Sequence, residues 1–528
     1  MSDTTKGRIL RTEPFSHSRW RELVFDSGEV MQGVEPVHKE AIACFIHLSD
    51  IHICDAASPA RLEFLDRIAD PDSPFVALIP LVGTYRAQEF LTTQVFESMI
   101  AAANQISRGP LTGTPVDAVV ITGDVVDNAQ ENELTWYKTI LEGGLVQPKS
   151  GDALLSEGFH SSNPGSYDIH YYHPDGPRDD QEADRPHQLH QFPHFPGLLA
   201  ASEREFHAEG LRHTWLAVHG NHDALLQGTA RPTPELDHFA QGAQKLSKLK
   251  ESYDLPSLFS SFGEIGPALY PDLSELETLP VTSDRRRRLI SLEDWVRLHT
   301  ECGHNHGLDN EQPATAYWYR DINPMVRLIA LDTVNKFGGW QGCIHREQFE
   351  WLADMLEHSR DKYVILTSHH PLQNLFNGYH PEGEEPPALE DEVNELLIRH
   401  PHVILWFAGH VHDHKVSERK RSDGSHAFWE IRTSSHIDWP QQSRVIEIIK
   451  AENGQIAIGT VVFDHVGPLT FRGSDREFED PIALAGFSRM LAANDWQRHS
   501  ASPFALELLE GEPSDRNIWL WAPDPLAR

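Results

Sequence analysis

Five short clusters of oxygen and imidazole donors occur along the 528-residue chain, each close behind a run of apolar residues. They are Asp50-Ile51-His52, Gly123-Asp124-Val125-Val126-Asp127-Asn128, Gly220-Asn221-His222-Asp223, His369-His370-Pro371 and Gly409-His410-Val411-His412. Carboxylate, amide oxygen and imidazole suit Mn, Fe, Co or Zn, and no thiolate accompanies them to imply structural zinc or an iron–sulfur cluster. Two metals ~3.5–4 Å apart need a ligand that touches both, and a carboxylate does this. Asp124 is the candidate, because Gly123 before it lets backbone and metal approach closely. His410 and His412 are expected to serve different metals. Taken singly, each cluster has an ordinary reading: a helix cap for GDxxD, a turn for GNHD, a proline-stopped strand for HHP. Their recurrence in one order, each behind a strand-like run, points to one shared bimetal site. Gly303-His304-Asn305-His306-Gly307 also reads G-H-x-H-G, but it follows an amphipathic helix and is assigned to a loop. The His-rich stretch 170–194 is likewise assigned to a solvated loop.

The elements that must position these donors follow from pattern. Residues 44–49, 117–122, 214–219, 326–331, 362–367 and 403–408 each have the length and β-branched content of one buried strand. Residues 88–107, 131–144 and 345–359 carry apolar positions at spacings of three and four, the helical period. Strands alternating with helices predict an α/β core, and loops at the C-terminal ends of its strands converge on one edge. After residue 413 the strand-like segments follow one another without helices, as in an antiparallel second sheet. Three insertions interrupt the scheme, at 56–87, 145–197 and 224–315. The second, rich in Pro, Asp and His, is expected to be a loop or mobile flap without a core of its own. The third contains a helix over 290–302 with Ser291 as its cap. Following the second and third clusters, the insertions at 145–197 and 224–315 are expected to emerge on the active edge as a cap. The domain plan is an N-terminal extension (1–40), a domain (41–465) and a C-terminal extension (466–528) packing on the core.

Composition narrows the function. The formal charge of −34 disfavours long nucleic acid as partner. No window is apolar enough to span a bilayer. The N-terminus lacks a secretory pattern, and Cys44, Cys54, Cys302 and Cys343 are scattered. Together these predict a cytoplasmic protein without a disulfide framework or membrane partner. Arg285–Arg288 is the one basic run and is read as a solvated face.

The five clusters in this order resemble the calcineurin-like metallophosphoesterase superfamily. TGDVVDNAQENE (122–133) and ALDTVNKFGGWQGCIHREQFEWLADML (330–356) are similar to its class III cyclic-nucleotide phosphodiesterase-like branch. The likeness covers roughly 41–55, 116–143, 213–223 and 316–465. It implies a four-layer α/β/β/α sandwich of two mixed sheets flanked by helices. It further implies that Asp50, His52 and His412 hold one metal, that Asn221, His369 and His410 hold the other, and that Asp124 bridges. His370 is the fallback for His369. His222 corresponds to the family's catalytic histidine, oriented by Asp223, and Asn221 and His222 face substrate. Asp127 stands where purple acid phosphatases have tyrosine. The implied activity is hydrolysis of a small phosphodiester, cyclic nucleotide or glycerophosphodiester, through a hydroxide bridging two divalent ions, Mn or Fe favoured over Co or Zn. A phosphomonoesterase is the alternative, favoured if Arg285–Arg288 or His306 folds over the site to hold a second phosphate. A non-enzymatic scaffold of the same fold is the reading from another class.

Overall fold

All six apolar runs form strands, and they divide between two six-stranded mixed sheets. The computed structural model describes residues 7–13, 19–37, 40–70, 73–76, 82–250, 273, 276–301, 306–308, 315–500 and 505–527. Numbering the strands in chain order, the pairs β1–β2 (Arg8–Arg11, Leu23–Asp26), β5–β6 (Gly144–Val146, Phe206–Ala208) and β8–β9 (Gln244–Leu249, Leu276–Pro280) stand apart, and the first large sheet runs β18 (Ile518–Pro523), β17 (Gln455–Asp464), β16 (Gln442–Lys450), β3 (Glu40–Leu48), β4 (Ala118–Thr122), β7 (Trp215–Val218). The second runs β10 (Trp318–Asn323), β11 (Val326–Leu331), β12 (Tyr363–Ser368), β13 (Val403–Ala408), β15 (His426–Arg432), β14 (Lys415–Lys420). Strands β3, β4 and β7 are mutually parallel, as are β11, β12, β13 and β15. Parallel neighbours must be covered on both faces, which explains why β4, β11, β12 and β13 are buried at every position. One apolar core joins the two sheets, with Phe45 of β3 and Phe407 of β13 6.1 Å apart. Helices Thr92–Gln105 and Glu131–Glu142 contribute to that core, and Arg346–Glu357 and Glu390–Ile398 cover the second sheet.

The strands after residue 413 do not make a sheet of their own. Hairpin β14–β15 joins the second sheet by pairing β15 parallel to β13, and hairpin β16–β17 joins the first by pairing β16 antiparallel to β3. The chain crosses from one sheet to the other over residues 433–441. Local pattern identifies a hairpin, not the edge it adds to.

Residues 145–197 are folded, contrary to the flap expectation. Phe159 and Tyr171 are buried with Leu62, Phe64, Leu65 and Tyr85 of the first insertion and Leu246 and Leu279 of the third. Tyr172 and Phe192 are buried with Ala483, Leu484 and Phe487 of the C-terminal helix Pro481–Ala492. A few well-spaced aromatics bury enough area to outweigh a polar average. Ion pairs buried in the same body reach the site. Arg61 meets Glu89 at 2.9 Å and Asp127 at 3.2 Å, Lys245 pairs with Glu63, and Arg287 meets Asp55 at 3.2 Å. Helix Leu292–Thr300 starts at Ser291, whose side chain accepts from Asp294 N.

Candidate metal centre

The five clusters lie at the C-terminal ends of β3, β4, β7, β12 and β13, where parallel neighbours bring their loops together. Pairing continues past β3 and β4: His52 N donates to Asp124 O at 2.9 Å and Ile53 N to Val125 O at 3.0 Å. Asp50, His52, Asp124, His410 and His412 all have left-handed φ, between 49° and 71°. Such backbone costs roughly 1–3 kcal/mol per non-glycine residue and concentrates at functional sites. Extended backbone would place His410 and His412 on one face; the left-handed turns send them to different groups. Two glycines permit the close approach. A Cβ on Gly220 would lie 2.2 Å from Asp124 N and Oδ1, and one on Gly409 would collide with Ser49 Oγ and Asp50 Oδ2.

Among the described residues four donor groups result, each with its atoms within 4.8 Å of one another: Asp50/His52/His412, His369/His370/His410, Asp50/Asp124/His369 and His52/Asp127/His222. His52 Nε2 lies 3.2 Å from His412 Nε2, and His412 Nε2 lies 3.3 Å from Asp50 Oδ1. His369 Nε2 lies 3.2 Å from His410 Nδ1. Asp124 Oδ2 stands between the groups, 3.1 Å from His369 Nε2 and 3.7 Å from His52 Nε2. Two nitrogens about 2.1 Å from one ion at the tetrahedral angle lie about 3.4 Å apart, so these separations fit shared ligation. Asn221 fits as well. Its Nδ2 donates to Gly228 O at 3.0 Å, while its Oδ1 is buried without a hydrogen-bond partner, an acceptor awaiting a cation or donor.

Partners behind the ligands set the tautomers. His369 Nδ1 donates to Thr122 O at 2.8 Å, His52 Nδ1 faces Asp127 Oδ1 at 3.1 Å, and His412 Nδ1 faces Asp438 Oδ2 at 2.6 Å. Each leaves Nε2 facing the site. His370 is different: its Nδ1 meets Thr333 Oγ1 at 2.8 Å and its Nε2 meets Trp340 O at 3.0 Å. Both its nitrogens are committed, so the geometry favours His369 although His370 is near enough to share its donor group. Burial opposes charge throughout, yet the opposed charges prevail for several groups. The charge and hydrogen bond of His369 hold Asp124 well below the usual carboxylate range. Asp124 and Asp50 raise His369 to about 9 against its burial, whereas burial and the neighbouring His370 and His369 push His410 well down.

Asp223 does not orient His222. Its Oδ1 accepts from Val125 N at 2.9 Å and its Oδ2 from Gly220 N at 2.8 Å, so it fastens the third loop to the second. The cause is local: Asp223 sits in the first turn of helix Asn221–Ala224, where a carboxylate folds back onto the N-terminal amides. Asp127 takes the expected role. His222 Nδ1 donates to Asp127 O at 2.8 Å and lies 3.6 Å from its Oδ1, and His222 N donates to Asp124 Oδ1 at 2.8 Å. Burial lowers His222 to about 4, so its ring is neutral in this state with Nε2 as acceptor. Three of the four arginines in the basic run are held in ion pairs, Arg286 with Asp284, Arg287 with Asp55, and Arg288 with Glu131 and Asp294, while Arg285 is exposed; Arg287 is buried, not part of a solvated face. His306 stacks on Trp215, the first residue of β7, and so lies at the opposite end of that strand from Asn221. Cys302 and Gly303–Asn305 lie outside the described residues. The histidines of 170–194 enter none of the donor groups among the described residues. The reading from sequence missed Asp438, which Arg86 holds at 2.7 Å and Arg498 at 2.7 Å. No spacing signal marks it, since it lies in the crossover between the sheets.

Residues 193–414 match the family model described as calcineurin-like phosphoesterase. That span contains Asn221, His222, His369, His410 and His412; Asp50, His52 and Asp124 precede it. Among solved structures, one titled "Structure of PhoD" aligns at 10% identity and TM-score 0.31, over 90% of this chain and 81% of that one. The Thermus thermophilus sulfate thiohydrolase SoxB in complex with glycerol aligns at 10% identity and TM-score 0.30, over 86% of this chain and 61% of that one. Neither is close enough to bear on function. No curated protein matches.

Proposed function

Because the chain carries a calcineurin-like phosphoesterase domain and is a metal-dependent phosphoesterase, we propose that it hydrolyses small phosphodiesters, of cyclic-nucleotide or glycerophosphodiester type. In this reading Asp50, His52 and His412 would hold one divalent ion and Asn221, His369 and His410 the other, with Asp124 available to both, and Mn or Fe is favoured. The observation that carries it is the Asp124 carboxylate standing between two imidazole groups, beside the unpartnered Asn221 oxygen. Two such ions supply Lewis acidity and bring the pKa of water toward ~7. The chain's own part is positional and protonic. His222, fixed through Nδ1 by the Asp127 carbonyl, presents Nε2 as the atom that takes a proton and passes it to the leaving alkoxide, a role typically worth 10²–10⁴-fold. Approach of an anionic phosphoryl group favours the protonated ring.

The ion pairs of Arg286, Arg287 and Arg288 support diester over monoester. A monoester brings an extra negative charge, and these cations already serve carboxylates. The three insertions, packed together behind Asp127, would act as a cap that sets substrate size. A cytoplasmic setting is part of the same reading, supported by the free, buried thiols of Cys44, Cys54 and Cys343.

The test is metal analysis of the purified protein, then rates on bis(p-nitrophenyl) phosphate and p-nitrophenyl phosphate with Mn, Fe, Co or Zn added. The diester is expected to be the better substrate by kcat/KM, Asp124→Ala to lose both metal and activity, and His222→Ala to keep metal but lose about 10²-fold in rate. A preference for the monoester, or activity that survives chelation, defeats the proposal.

A further inference from the structure

Two aromatic side chains stand open to solvent beside the second donor group. Trp340 and Phe376 are each 37% exposed, and their rings meet edge to face at 5.7 Å. Trp340 also lies nearly parallel to the His410 imidazole, with centroids 6.0 Å apart and 17° between the planes. The His410 Nδ1 is the atom that faces His369 Nε2. The platform is therefore one ring away from the donors proposed to hold a metal.

The backbone beneath these rings is stiff. Trp340 O accepts from His370 Nε2 at 3.0 Å, and Gly339 N donates to Thr229 O at 3.1 Å. The loop after β11 is stitched to the loop after β12: Gly342 N donates to Asn374 O and Asn377 N to Gly342 O, both at 2.9 Å, and Asn377 Nδ2 donates to Gly338 O at 3.0 Å. A rigid wall presenting two exposed rings loses little freedom when something binds against them. Large aromatics are among the most favourable side chains to bury, so a partly exposed pair held rigidly one ring from the donors offers a planar ligand further area to cover. Net charge argues for one too. At −34 the protein repels anions at long range, and a stacking contact anchors an anionic ester without relying on charge.

We propose that Trp340 and Phe376 form a corner platform for a planar aromatic group of the substrate, one ring meeting it face-on and the other edge-on, so that the phosphoesters taken here carry a nucleobase or an aryl ring next to the phosphorus. This rests on the phosphoesterase reading above and narrows it. Every nucleobase offers a π-face, so a platform of this kind selects planar rings over polyols without choosing among bases.

The test uses the full-length, Mn-loaded protein and three probes of similar phosphate charge: adenosine 5′-monophosphate, phenyl phosphate and glycerol 1-phosphate. Calorimetry is expected to find the two aromatic probes bound about five- to 150-fold more tightly than glycerol 1-phosphate, the range for one stacked ring. That preference should collapse to about threefold or less in Trp340→Ala and in Phe376→Ala, and persist in Trp340→Phe. The nucleotide binding more tightly than phenyl phosphate identifies a nucleobase as the occupant; equal binding identifies any aryl ring. Equal binding of all three probes to the wild type, binding of none, or a Trp340→Ala variant that weakens all three alike overturns the platform. An intact preference with no hydrolysis of aromatic or aliphatic esters would instead sink the phosphoesterase reading and leave the platform standing.

Discussion

Replacing Asp438 by asparagine tests how the buried surroundings of the site govern its ligands. Asp438 Oδ2 accepts from His412 Nδ1 at 2.6 Å and from Arg498 Nη2 at 2.7 Å, and Oδ1 accepts from Arg86 Nε at 2.7 Å. All four residues are buried. The asparagine side chain would keep one acceptor and aim an N–H₂ at a donor, depriving Arg86 of its counter-charge and leaving Arg498 with Asp495 at 3.7 Å. Removing one partner of a buried ion pair costs about 3–5 kcal/mol. His412 separately loses a charge-assisted hydrogen bond worth about 1.5–3 kcal/mol, which at 1.4 kcal/mol per decade is roughly 10- to 150-fold in metal affinity. That agrees with the 10- to 100-fold usual for partners of metal-ligating histidines. Competition with a chromophoric chelator measures the affinity, and urea unfolding of the metal-free protein measures the fold. Arg498→Gln is the companion variant, because it removes one cation and keeps the His412 contact; its affinity loss should be several-fold smaller. Metal affinity within twofold of wild type in Asp438→Asn would refute the claim that Asp438 positions His412.

Two further outcomes follow from the site. His369 is raised from 6.5 to about 9 by Asp124 and Asp50 against its burial, so the metal-free ring is protonated at neutral pH. A ligating imidazole must be neutral, so metal loading should release a proton at pH 7, and affinity should rise roughly tenfold per pH unit until about pH 9. The same shift stabilises the metal-free fold fully below pH 6.5 and less as pH climbs through 9, the direction for a raised histidine. Calorimetry in buffers of different ionisation heat reads the proton count, and a count of zero contradicts the assignment. The second outcome separates two aspartates. Asp223→Asn should lower the unfolding free energy from urea titration by about 1–3 kcal/mol, the cost of unmet buried amides, and keep the shape of the pH–rate profile. Asp127→Asn should lower metal occupancy through His52. A displaced acid limb in Asp223→Asn with unchanged stability would return Asp223 to the role of orienting His222.

What could be read from the chain alone was whatever short-range rules dictate. Runs such as 326–331 and 403–408 coincide with β11 and β13 because continuous apolar, β-branched stretches have few other stable uses. Ser291 caps its helix because a hydroxyl there meets an otherwise orphaned amide. The donor clusters were legible because chemistry needs particular atoms, and strand ends are where loops converge. The tertiary structure decided what depends on partners distant in sequence. Hairpins β14–β15 and β16–β17 went to different sheets, since pairing edges are a global choice. Four aromatics made 145–197 a folded body by burying themselves in two other insertions and the C-terminal helix. Asp223, adjacent to His222 in sequence, turned back onto amides, and the Asp127 carbonyl took its place from the loop after β4. Asp438 reached His412 across the crossover, because hydrogen bonds and buried charges are satisfied by proximity in space, which spacing along the chain does not encode.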